Sequence, residues 1–169
     1  MRFFYSLITV LSTPFVLLYF ALRGLRDRSY LGRWRERFGL IADPGQRGGV
    51  LIHAASVGEF NAARPLIRAL LNSYPELPLS VTTQTPTGSE RVKSELGDSV
   101  FHCYIPIDLP GAVARFLNRL QPQLIIVMET EIWPNLYRCS ARKNIPLIMV
   151  NARLSARSFY RFQYVSGLI

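Results

Sequence analysis

Cysteine is nearly missing from this chain of 169 residues: Cys103 and Cys139 stand alone, too few for a disulfide scaffold. Lysine is scarcer still for so basic a protein, since arginine supplies 18 of the 20 basic residues. Histidine is confined to His53 and His102, and neither has partners at metal-ligand spacing, so both read as satisfied core residues. No GxGxxG occurs, and the threonine-rich turn at 82–88 lacks the lysine of a P-loop. That weakens the case for a dinucleotide or ATP site. Acids are few, 11 against the 20 bases, for a formal charge of +9 and a pI near 10.2. Low hydrophobicity is missing too: 49% of residues are apolar and the mean hydropathy is +0.16, which excludes a disordered chain. Glycine and proline, 11 each, are too few for a collagen-like chain. The length suits about one domain. What is left is a globular domain with a membrane or polyanion partner.

The apolar excess has an address. Residues 3–22 carry no charge, and a helix of that length reaches about 30 Å, the thickness of a bilayer core. Arg23, Arg26, Arg28, Arg33, Arg35 and Arg37 follow at once, offset only by Asp27 and Glu36. A cleaved signal peptide fits poorly: the run is too long, Arg2 is a thin basic start, and the arginines resist export. A core helix competes, because Ser6, Ser12, Thr13 and Pro14 dilute the run. The reading adopted is a membrane anchor over 1–22, spanning or interfacial, with the bulk of the chain on the cytoplasmic side. Residues 23–47 form a basic juxtamembrane segment. There Tyr30, Leu31, Trp34 and Phe38 share one helical face, and the arginines meet anionic headgroups or merely solvate. Gly45, Gly48 and Gly49 mark a linker into an α/β domain over 48–169.

From Val50 the pattern alternates. Strands are expected at 50–55, 79–83, 100–105, 124–128 and 146–150, with helices at 59–73, 87–96, 110–120 and 133–142. Thr87 is the expected cap of the second helix, with Glu90 three residues on. This βαβα order implies a Rossmann-like parallel sheet flanked by helices, class α/β. In such sheets ligands lie beyond the carboxyl ends of the strands, where Ser56–Glu59, Thr82–Gly88, Pro106–Asp108, Glu129–Glu131 and Asn151–Arg153 collect.

Each cluster carries two readings. Glu59 is either a helix-dipole carboxylate or a general base, with Gly58 giving a substrate close approach. Glu129 and Glu131 flank Thr130 after a buried strand. In an extended segment both carboxylates face one side, as caps or as a pair whose mutual repulsion lifts one pKa. The turn through Thr85, Thr87 and Gly88 is either an ordinary cap or a phosphate cradle. Nucleic acid is not the expected partner: the bases gather beside the apolar run, without an RNA-binding aromatic motif.

Taken together, four segments closely resemble the amino-terminal half of bacterial 3-deoxy-D-manno-octulosonic acid (Kdo) transferases. They are Ser56-Val57-Gly58-Glu59, Thr82 to Arg91, Met128 to Asn135 and Asn151-Ala152-Arg153-Leu154-Ser155. The resemblance runs from the apolar anchor to about Ser158. It implies the amino-terminal domain of a GT-B glycosyltransferase at the cytoplasmic face of the inner membrane. Such enzymes move Kdo, with inversion, from CMP-Kdo to a lipid A precursor. It also implies Glu59 as general base and Glu131 as transition-state support. The acceptor-binding candidates are Ser56, Gly58, Thr85, Thr87, Gly88, Arg64, Arg68 and Arg153. Arg64 and Arg68, with the arginines from Arg23 through Arg37, would meet lipid phosphates. No metal and no cofactor beyond the donor sugar nucleotide are implied. The resemblance continues in the family through a donor-binding domain after the point where this chain ends, so the chain alone is expected not to transfer Kdo. The competing reading is a non-catalytic module for membranes or anionic lipids.

Overall fold

The computed structural model describes residues 2–152, so Arg153 and the residues beyond it lie outside the description. Five apolar runs become strands: β1 Val50–His53, β2 Leu79–Thr83, β3 Phe101–Tyr104, β4 Leu124–Met128 and β5 Leu147–Val150. All pairs are parallel, in the order β3-β2-β1-β4-β5. Val50 stands beside both Leu79 and Leu124, so β1 and β4 are neighbours although two strands separate them in sequence. That reversal of strand order is where α/β sheets open a crevice for ligands.

Four amphipathic helices cover the sheet: α3 Val57–Ser73, α4 Pro86–Leu96, α5 Pro110–Leu120 and α6 Pro134–Arg142. Alternate residues of β1 point to opposite faces. Ile52 joins Phe60, Ile67 and Val92 of α3 and α4, whereas Leu51 joins Phe116, Leu117 and Leu136 of α5 and α6. β1 and β2 are buried along their whole length, as strands covered on both faces must be.

Several boundaries move for identifiable reasons. The cap of α4 is Thr85 and not Thr87: its Oγ1 accepts the Gly88 N–H at 3.2 Å, because Pro86 takes the first helical position, where no N–H is required. The single face expected for Tyr30, Leu31, Trp34 and Phe38 is broken into a 3₁₀ turn, Arg28–Leu31, and the short α2, Trp34–Arg37. Between them Arg33 adopts φ 58°, a left-handed backbone that sends its guanidinium inward to Glu36, Ser89 and the His102 carbonyl. Arg37 is 2% exposed, held between the rings of Phe20 and Tyr104 at 4.3 and 4.4 Å. These two arginines therefore leave the basic surface and brace the fold. The glycine linker is docked as well: a side chain on Gly49, at φ 65°, would stand 1.8 Å from the Pro78 carbonyl oxygen.

The apolar run forms α1, Arg2–Arg26, and lies against the domain. Tyr5 Oη donates to Asp108 Oδ2 at 3.0 Å and Ser6 Oγ donates to Asn135 Oδ1 at 2.9 Å. Near its other end, Phe20 packs edge-on against Trp34. Phe4, Ile8, Leu11, Phe15, Leu18, Leu22 and Leu25 form a continuous exposed stripe at spacings of three and four. Tyr5, Ser6, Thr9, Ser12 and Thr13 lie on the half-buried side of α1 with Val16, Leu17 and Phe20, while the exposed stripe is apolar.

Candidate active site

Helix α3 starts where β1 ends, and its first turn builds the core of the site. Ser56 is its cap, accepting the Glu59 N–H at 3.3 Å and donating its own hydroxyl to Glu59 Oε1 at 3.0 Å. The Ala55 N–H donates to Glu59 Oε2 at 2.7 Å. Both carboxylate oxygens are thus oriented, and the residue is only 7% exposed. Burial pushes the Glu59 pKa up, the bonds from Ala55 and Ser56 pull it back, and Glu131 and Glu129 push it up again; the net direction is upward. Gly58 beside it is exposed, and a Cβ there would meet nothing nearer than Ser56 Oγ at 3.8 Å, so the backbone next to Glu59 stays uncovered.

The second acidic segment follows β4, across the crevice from β1. The extended alternation expected for Glu129 and Glu131 does not form. Glu129 takes φ 58° directly after its N–H makes the last sheet bond, to Val150. The chain turns instead of continuing flat, yet both carboxylates stay within electrostatic reach of Glu59. Glu131 is held from two directions: Oε2 accepts Trp133 Nε1–H at 3.0 Å, and its carbonyl accepts the Tyr137 hydroxyl at 2.7 Å. Trp133 meets the ring of His53 edge-to-face. His53 in turn contacts Thr82 Oγ1 through Nδ1 at 3.0 Å, and burial drops its pKa to about 4, so it is neutral near pH 7.

Ser56, Gly58, Glu59 and Glu131 are therefore brought to one end of the sheet. Thr85, Thr87 and Gly88 stand at the same edge, after β2. Thr85 and Gly88 are occupied with each other, while Thr87 is exposed with only a 3.4 Å contact to Thr85. Arg64 and Arg68 are not brought in. They lie further along α3, about 7.5 and 13.5 Å of helix rise beyond Glu59 at 1.5 Å per residue, on the face of the sheet opposite α1. There they pair with Glu95, which Arg91 also holds. Arg153 lies outside the described residues. Among the described residues, no group of three or more His, Cys, Asp or Glu side chains is placed to hold a metal ion.

Comparison with known proteins decides the class. The family model described as 3-deoxy-D-manno-octulosonic-acid transferase (kdotransferase) matches residues 32–169. The chain belongs to the Kdo transferase family. A 3-deoxy-D-manno-octulosonic acid transferase of Haemophilus influenzae is 50% identical over 165 residues, covering 95% of this chain and 38% of its own length. The Bordetella pertussis protein of the same name is 34% identical, over 82% of this chain and 37% of that one. An Arabidopsis thaliana protein, "Probable 3-deoxy-D-manno-octulosonic acid transferase, mitochondrial", is 38% identical over 94% of this chain and 36% of its own. The chain thus spans less than two-fifths of these relatives. The parallel sheet is the Rossmann-like amino-terminal domain of a GT-B glycosyltransferase, as the resemblance implied.

Within this family member, Asp108 stood among the strand-end residues but was given no role by the sequence. It is 5% exposed, and its carboxylate accepts the N–H groups of Asn135 and Leu136 at the start of α6, besides the Tyr5 hydroxyl. Asp108 thereby ties α1 to the loop that carries Glu131. An acid just after a strand was visible as a signal; its three donors, far apart in sequence, were not.

Proposed function

We propose that this chain is the acceptor-binding part of a Kdo transferase, with Glu59 as general base. One observation supports the reading above the others: a nearly buried carboxylate of raised pKa, oriented through both oxygens, stands beside the exposed Gly58 at the strand-order reversal. In the proposed step the hydroxyl of a lipid A precursor attacks the anomeric carbon of Kdo while the bond to the CMP phosphate breaks. The hydroxyl proton passes to Glu59, and the configuration inverts. A raised pKa strengthens the base, and Ser56 and Ala55 keep its oxygens aimed. Glu131, locked by Trp133 and Tyr137, supplies negative charge to the cationic transition state. Thr87, exposed and held only by its 3.4 Å contact to Thr85, offers the acceptor a hydroxyl. An acceptor phosphate reaching α3 would compete with Glu95 for Arg64 and Arg68.

Anchoring follows from α1, which is long and apolar enough to cross a membrane. The arginines after it favour the cytoplasmic face of the bacterial inner membrane. Its bonds to Asp108 and Asn135 favour lying in the interface over spanning, since a spanning helix would have to give them up.

The test is a chimera in which this chain replaces the matching segment of the Haemophilus relative. Glu59→Gln should lower Kdo transfer from CMP-Kdo by about 10²–10⁴ while acceptor binding persists. Turnover within threefold of the parent overturns Glu59 as base, and retained lipid binding without any parental transfer favours the non-catalytic lipid module.

A further inference from the structure

We propose that the outer side of α5 holds one anionic phospholipid of the bilayer, its acyl chain along α1 and its phosphate on Arg35, Arg47, Arg115 and Arg119. This site rests on the interfacial reading of α1 and is separate from the transfer chemistry.

Two hollows carry the inference. The first, about 580 Å³, runs between α1 and the start of α5, with Val10, Pro14 and Leu17 on one wall and Pro110 and Ala112 on the other. The second, about 480 Å³, lies further along α5 and is ringed by Arg35, Arg47, Arg115 and Arg119. Arg115 lines both, so an apolar slot opens into a cationic basin. The basin is short of anions. Arg119 meets Asp43 at 3.5 Å with both largely exposed, while Arg35 and Arg47 make no ion pair among the described residues. Arg115 gives Nε and Nη2 to the Phe38 carbonyl, at 3.2 and 2.7 Å, which fixes the guanidinium without neutralising it.

Four guanidinium groups around one hollow repel each other unless an anion joins them, and a phosphodiester suits their forked donors. A soluble phosphate would leave the slot empty, whereas a phospholipid fills both parts. Arg115 and Arg119 lie about 6 and 12 Å along α5 from Gly111, which lines the apolar slot, so the cationic basin continues the slot along the helix. Glu59 lies elsewhere: α5 runs back from the carboxyl edge of the sheet, and its last residue, Leu120, bonds Gly48 at the amino edge.

The experiment measures binding of the chain to vesicles of phosphatidylcholine alone or mixed with phosphatidylglycerol. The expected result is at least roughly tenfold tighter binding to the anionic vesicles, lost in the double variant Arg35→Gln, Arg47→Gln. The charge-matched control Arg91→Gln, Lys93→Gln, on α4 across the sheet, should keep the preference. Excess inorganic phosphate at constant ionic strength should leave it intact. Equal loss in both double variants, or displacement by inorganic phosphate, overturns the lipid site. Equal binding to the two vesicles overturns the site but leaves interfacial α1 standing; binding to neither overturns both. Kdo transfer by the chimera is scored separately and does not depend on this outcome.

Discussion

Helices α1 and α5 wall the same groove and are both amphipathic, but they present opposite faces to the domain. α5 buries Ala112, Val113, Phe116, Leu117 and Leu120 and leaves Arg115 and Arg119 outside, as a water-soluble helix does. α1 does the reverse, turning Tyr5, Ser6 and Thr13 inward and leaving Phe15, Leu18 and Leu22 outside. A stripe of that length exceeds the scattered apolar residues that a soluble surface carries, as the proposed anchoring requires. Apolarity in α5 stabilises the fold; in α1 it lies on the outside.

The largest test of this contrast pairs Phe116→Ala with Phe15→Ala. Phe116 is fully buried, so its truncation should cost about 3–5 kcal/mol in urea unfolding. Phe15 is 73% exposed, and its truncation should stay within about 0.5 kcal/mol while weakening vesicle binding. Similar losses of stability in both would mean that α1 is a core helix. A second test uses pH. Burial lowers His53 and His102 to about 4, so the native state binds fewer protons than the unfolded chain between about 4 and 6.5. Stability should be intact above that window and fall as pH drops through it, by on the order of 3 kcal/mol per histidine. Chemical denaturation at stepped pH measures this, and a flat profile would remove the buried neutral histidines from the account. Smaller still, Tyr5→Phe should loosen α1 by about 1 kcal/mol through its lost bond to Asp108, seen as faster amide exchange early in α1. The smallest effect is expected from Arg68→Gln, within about 0.5 kcal/mol, because its own side chain is exposed and its pair with Glu95 is long, at 3.7 Å.

Much of the fold was legible because periodicity reports burial directly. β4 reads as an apolar run since both its faces are covered, and α5 announces its proline start and inward stripe. Glu59 was legible as a strand-end acid behind a glycine. Ser56 reads only as an acceptor-binding candidate, and the structure adds its role as the cap that holds Glu59. The pairing of Glu129 with Glu131 was misjudged in shape, since a left-handed residue after a strand leaves no pattern in a sequence without glycine there. Arg33 and Arg37 looked like surface charge, and only their neighbours from distant segments, Ser89, Tyr104 and Phe20, make them internal.

The sequence by itself determined the alternation of strands and helices, the uncharged helix at the amino end and the polar residues gathered at the strand ends. These follow from local periodicity, which each segment carries within itself. Tertiary structure alone decided that β1 and β4 are neighbours, which brings the loops of Glu59 and Glu131 to one crevice. It also decided which arginines are buried, which pair with Glu95 and which ring the basin on α5. Finally it set the direction of α1, because a helix with two usable faces shows its outside only when Asp108 and Asn135 have claimed the other.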